Sequence, residues 1–161
     1  LEHVDSEQGI INEVARVLKK GGIMYLASPY KGMFSWADAA NLRYQIPIFH
    51  KILATMFYGR QRYDQLFRKN KTHGLLGDSS LNRDWHKHYK EFEVRQLLDK
   101  NFKINSFFKF SLLQPFLLDL VNLWKLIFKN ENKFINELVY LDNRVQAGEL
   151  SYNMLVVAAK K

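Results

Sequence analysis

The stretch Glu13-Val14-Ala15-Arg16-Val17-Leu18-Lys19-Lys20-Gly21-Gly22-Ile23-Met24-Tyr25-Leu26-Ala27-Ser28-Pro29 decides the fold. Just before it, Asp5-Ser6-Glu7 offers a capping residue and an acidic first turn. Ile10, Ile11, Val14, Val17 and Leu18 then recur at helical spacing, which predicts a helix running to about Lys19. Gly21-Gly22 stops it. The apolar run from Ile23 to Ser28, closed by Pro29, has the pattern of a strand buried on both faces. A helix feeding directly into such a strand predicts a parallel α/β sheet.

Working outward, residues 35–67 read as mostly helical, with Ser35-Trp36-Ala37-Asp38 in the form of a capping box and Pro47 breaking the segment into two pieces. Residues 68–84, with Gly74, Gly77, Asp78, Ser79 and Ser80, read as a loop. A helix over 91–100 carries Val94, Leu97 and Leu98 on one side, and residues 102–110 alternate as a strand does. Residues 115–128 are strongly apolar, yet Asp119, Asn122, Lys125 and Lys129 fall on one side. That makes an amphipathic helix, too short to span a bilayer. A further helix covers about 132–144, and Gly148 opens a last strand over 152–159. The chain has no internal repeat and no low-complexity stretch.

Its 161 residues suffice for one buried core, so one domain or part of one is expected. The absence of cysteine excludes disulfide scaffolds, thiolate metal sites and cysteine nucleophiles. It is compatible with a reducing compartment, and the expected location is the cytoplasm. The first residues, Leu1-Glu2-His3-Val4, have no basic and apolar leader pattern, and they read as internal to something larger. The 24 Lys and Arg against 16 Asp and Glu favour acidic partners, but the cations are spread in pairs such as Lys19-Lys20 and Arg68-Lys69. Nucleic acid therefore ranks behind small acceptors.

Leu1-Glu2-His3-Val4, then Glu13 to Gly22, then a strand ending Ser28-Pro29-Tyr30, resembles the methyltransferase type 11-like branch of class I S-adenosylmethionine-dependent methyltransferases. Those enzymes read LEHV, a short acidic loop, E-x-x-R-V-L-K-P-G-G and a strand; Lys20 stands here in place of their proline. His86-Lys87-His88-Tyr89 with the following helix and strand is similar to the family's histidine-containing loop, helix and sixth strand. Residues 152–161 look like its seventh strand, which in that fold inserts antiparallel beside the sixth. The resemblance implies an α/β, Rossmann-like fold present in part: the C-terminal strands of a seven-stranded sheet, the last one antiparallel. Residues 31–84 and 111–147 would be helical insertions of the substrate-lid kind. The family's glycine-rich loop and the acidic residue that holds the ribose would both precede Leu1, so little cofactor affinity is expected of this chain alone.

The activity implied is methyl transfer from S-adenosyl-L-methionine to a small-molecule, sugar or lipid-linked acceptor, with RNA second. Glu2 and His3, ending one strand, and Pro29 and Tyr30, ending the next, would line one crevice beyond the carboxyl ends of the strands. Glu2 and His3 are the expected cofactor contacts; Pro29, Tyr30, Trp36 and Arg43 are the expected substrate contacts. Against this, Glu2 can simply cap a helix and His3 fill a gap in the sheet. His86 and His88 are candidate general bases, because imidazole titrates near neutral pH, or else loop histidines bonded to backbone. Relatives that methylate small RNAs at the 2′ oxygen hold a divalent cation with an E-x-x-E-H cluster. Glu2 and His3 match its last two members, implying Mg²⁺, although that ion prefers oxygen ligands. Trp36, Phe49, Phe57, Tyr58, Tyr63 and Phe67 suit an apolar pocket wall or plain core, and Arg43, Arg60, Arg62 and Arg68 suit an acidic substrate or solvent. The helix at 116–128, with Lys125, Lys129 and Lys133, suits peripheral membrane contact or a core or dimer interface. The rival to an enzyme is a non-catalytic module of the same fold that binds a partner.

Overall fold

The computed structural model describes Val4 and residues 6–38, 46–65 and 87–161, without the side chains of Phe57 and Leu126. In chain order the elements are α1 (Glu7–Val17), β1 (Ile23–Pro29), α2 (Pro47–Tyr58), α3 (Arg60–Tyr63), α4 (Glu91–Leu98), β2 (Phe102–Phe110), α5 (Gln114–Phe128), α6 (Lys133–Asp142) and β3 (Asn153–Lys160). Short 3₁₀ turns lie at Ser35–Ala37 and Gly148–Leu150. The fold is mixed α/β, and the chain divides into two compact units, one of Leu1–Ser35 with Lys87–Lys161 and one of Trp36–His86.

The first unit is built on a three-stranded sheet of order β1-β3-β2. β3 is antiparallel to both neighbours, in register from Ile23↔Ala159 to Pro29↔Asn153 on one side and from Phe102↔Lys160 to Phe110↔Asn153 on the other. A bulge between Ile104 and Ser106 keeps Phe107 and Lys109 on the same face as Ile104. The paired strands are thus antiparallel, which corrects the parallel sheet expected from the helix-to-strand succession. β1 and β2 do run in the same direction, but β3 lies between them, and the one parallel bridge among the described residues joins Tyr30 and Tyr89.

Helices α1 and α4 cover one face. Ser6 caps α1, its hydroxyl accepting from the Gly9 N–H at 3.0 Å, with Glu7 in the first turn where the helix dipole favours an anion. Gly21 takes the left-handed conformation, φ 75°, that turns the chain into β1. At α4 the Glu93 carboxylate accepts from the Lys90 N–H at 2.6 Å. Ile11, Ala15, Val94 and Leu98 then pack on Met24, Phe102, Met154, Val156 and Ala158 to form the core.

The opposite face is open. Ile23, Tyr25 and Phe108 are exposed, Tyr25 at 71%, and Leu155, Val157 and Ala159 between them are only half-buried. The expectation that β1 is buried on both faces is corrected accordingly: its residues are apolar on both sides, but among the described residues helices pack on one.

One local expectation also changes. The Ser35 hydroxyl donates to the Gly32 carbonyl at 3.0 Å, so Ser35–Ala37 is a 3₁₀ turn and not a capped α-helix. Pro47 stands at the first position of α2, where a helix's first N–H groups have no partner to lose, in keeping with the break expected there; residues 39–45 lie outside the described residues. The last strand begins at Asn153, after Gly148 (φ 57°) has turned the chain. In α6, Asn132 accepts from the Phe134 and Ile135 N–H groups at 3.0 and 3.2 Å. No helix among the described residues is long and apolar enough to cross a membrane.

The second unit contains α2 and α3. Ala54 and Tyr63 form its small core with Tyr58 packed against them, and the His50 ring lies 6.0 Å from that of Tyr63.

Candidate functional site

The carboxyl end of β1 is where polar side chains converge. β1 is held there on both sides: the Tyr30 N–H donates to the Tyr152 carbonyl at 2.6 Å, the Tyr89 N–H to the Pro29 carbonyl at 3.1 Å, and the Lys31 N–H to the Tyr89 carbonyl at 2.9 Å. The segment after β1 then presses on the chain before β3. A Cβ at Gly32 would stand 1.7 Å from the Ser151 carbonyl oxygen, so only glycine fits.

On the helix-covered face, Tyr30 is fully buried and its hydroxyl donates to the Glu149 carboxylate. Lys109, from β2, pairs with the same carboxylate and with Glu91 of α4 at 2.7 Å. The ammonium groups of Lys90 and Lys109 lie 5.3 and 5.0 Å from the centre of the Tyr30 ring. The charges hold one another in place. Burial, helped by the adjacent Glu149 carboxylate, raises the Tyr30 phenol above its ordinary value. Burial works against the charge on Lys109, but Glu149, Glu91 and Tyr30 together outweigh it and hold the ammonium well above the usual lysine range. Lys109 in turn lowers both carboxylates, with Tyr30 adding to the effect at Glu149 and Arg95 at Glu91. At neutral pH this cluster is a neutral phenol, a fixed cation and two fixed anions. It can orient a ligand, but none of its groups is poised to move a proton.

A second cluster joins α1 to the segment before α4: Glu7 accepts from Lys87 at 2.8 Å and from the Tyr89 hydroxyl at 3.0 Å. Between Lys87 and Tyr89 in sequence lies His88, which is buried and set edge-on to Tyr152 with ring centres 5.4 Å apart. Beyond β2, Ser111 adopts φ 61°. Its hydroxyl donates to Asn143 at 2.8 Å, and the Asp142 carboxylate accepts from the Leu112 and Leu113 N–H groups at 3.0 Å each.

Of the residues expected from the sequence, Pro29, Tyr30 and His88 therefore meet at the carboxyl end of β1. Trp36 belongs to the second unit and is half exposed. Glu2, His3, Arg43 and His86 lie outside the described residues, as do Phe67 and Arg68. Tyr30 is buried, with its hydroxyl held by Glu149. Glu7, Lys87, Glu91, Lys109 and Glu149 were not expected. Their partners are far apart in sequence, 119 positions for Tyr30 and Glu149, so no local spacing announces them. Gly32, directly after a strand, did carry a signal, since a glycine there marks a close backbone approach.

Among the described residues no group of three or more His, Asp or Glu side chains is placed to hold a metal ion. A concavity of about 460 Å³ lies at the opposite end of the sheet, lined by Arg95, Asp99, Lys103 and Lys161. Comparison with known proteins gives no family model, no curated protein and no solved structure that matches the chain.

Proposed function

We propose that the chain is the C-terminal portion of a Rossmann-like class I methyltransferase domain, acting on a small-molecule, sugar or lipid-intermediate acceptor. The observation that carries this reading is the position of the last strand. In the family that the sequence resembles, the seventh strand inserts antiparallel beside the sixth; here β3 pairs antiparallel with β2 along its whole length. The glycine-stopped helix before β1, the feature on which the resemblance chiefly rests, packs on the same sheet. The open apolar face of β1-β3-β2 also suits a sheet that continues into further structure.

S-adenosyl-L-methionine would supply an electrophilic methyl group. An acceptor held beside it would take the methyl group, releasing S-adenosylhomocysteine and a proton. Catalysis of this kind rests on proximity and orientation. In this chain the carboxyl end of β1 would form the wall of the crevice, and His88 would take the proton that the acceptor releases. Ultraviolet cross-linking with methyl-labelled S-adenosyl-L-methionine, on a longer protein carrying the residues before Leu1, tests the assignment. Label is expected in peptides containing residues 1–4 or 28–31. Label confined to residues 36–86 would overturn it.

The same open face favours a second reading, a non-catalytic module of this fold that binds a protein partner over Ile23, Tyr25 and Phe108. A longer protein that cross-links nowhere, yet pulls the chain into a stable complex through that face, would favour the module.

A further inference from the structure

Helix α2 presents to solvent a line of large aliphatic side chains. Ile48, Ile52 and Met56 follow one another at four-residue spacing and are 76%, 54% and 76% exposed, with Phe49 half exposed beside them. The inward face of the same helix carries the buried His50 and Ala54, so the outward stripe is not the side by which α2 packs in its own unit. Lys51 flanks the stripe, and Arg60 and Arg62 follow at once in α3. Those arginines line a cleft of about 640 Å³ with Tyr58, Gly59, Gln61 and Gln65. The charge balance extends through the segment: residues 36–86 hold eight Lys and Arg against four Asp.

We infer that α2 docks in the plane of an anionic lipid surface, its aliphatic stripe at the acyl boundary and Lys51, Arg60 and Arg62 among the headgroup phosphates. Twelve residues are too few to cross a bilayer but enough to lie on one. Charge decides between occupants. A second copy of the chain docked on this stripe about a two-fold axis would bring the same basic patch against itself, whereas anionic headgroups neutralise it. The inference is independent of methyl transfer, since lipid binding needs no cofactor.

Cosedimentation of the full chain with vesicles tests it, comparing phosphatidylcholine alone with phosphatidylcholine containing phosphatidylglycerol. The chain is expected to pellet with the anionic vesicles, and to be released by added salt. Ile48→Ser with Met56→Ser, and separately Arg60→Glu with Arg62→Glu, should each weaken binding by about tenfold or more. Both pairs are exposed, so the thermal melt should not move. Leu123→Ser with Ile127→Ser, on the exposed stripe of α5, should leave vesicle binding unchanged. Three results would each overturn the inference: no pelleting with either vesicle, loss of binding only through the α5 variant, or a lipid-free dimer in sedimentation velocity that the Ile48 and Met56 variants dissociate.

Discussion

Tyr30 shows how one side chain ties three parts of the chain together. Its hydroxyl reaches Glu149, its ring lies under Lys90 and Lys109, and Lys109 carries the link on to Glu91. Removing the hydroxyl in Tyr30→Phe should cost about 1 kcal/mol in urea unfolding, the worth of one part-buried hydrogen bond. The ionised partners also set a pH dependence. The folded values of Glu91 and Glu149 lie below the ordinary 4.5, so the unfolded chain binds more protons as acid is added. Stability present at neutral pH is therefore lost as pH falls below about 4.5, and Lys109→Met should shrink that loss. At the alkaline end the signs reverse. Tyr30 and Lys109 have folded values above their ordinary 10.0 and 10.5, so the folded chain holds protons that the unfolded chain has released. Stability should decline as pH rises past about 10, and less so in the Tyr30→Phe variant. Gly32→Ala should be the most damaging single substitution here, because the Ser151 carbonyl would have to move; failure to accumulate as folded protein is the expected result.

At the scale of elements, sequence and structure agree where the information is local. The cap at Ser6 and the periodicity of Ile11, Val14 and Leu18 announce α1, the glycine pair announces its end, and the alternation from Phe102 to Phe110 announces β2. How the strands meet is not legible in the runs themselves; the antiparallel last strand was expected only through the family resemblance. β1 and β3 each read as apolar runs, and nothing in either run says that β3 enters between β1 and β2 in the opposite sense. Nor could an apolar strand announce that only one of its faces is covered. Of the residues gathered at the carboxyl end of β1, Pro29, Tyr30 and His88 stood out in the sequence because they sit at a strand end or in a histidine-bearing loop, while Lys109 and Glu149, 40 positions apart, needed the fold to bring them together. The one-sided packing can be measured. Leu98→Ala, on the covered face, should cost about 2–5 kcal/mol. Tyr25→Ser, on the open face, should change the stability of this chain by no more than about 0.5 kcal/mol. Equal losses from both would mean that the second face is covered as well.

For the molecule as a whole, the sheet unit supplies the carboxyl end of β1 as candidate site, and the Trp36–His86 unit supplies a basic, aliphatic helix suited to a lipid surface. We propose that this chain is one part of a methyltransferase domain and that it lacks the residues that grip most of the cofactor. Calorimetric titration of S-adenosylhomocysteine, into the chain and into a longer protein carrying upstream residues, tests this proposal. Saturable one-to-one binding by the longer protein, with little or no heat from the chain alone, is the result expected. Binding by neither would contradict the proposal and leave the partner-binding module as the better account of the fold.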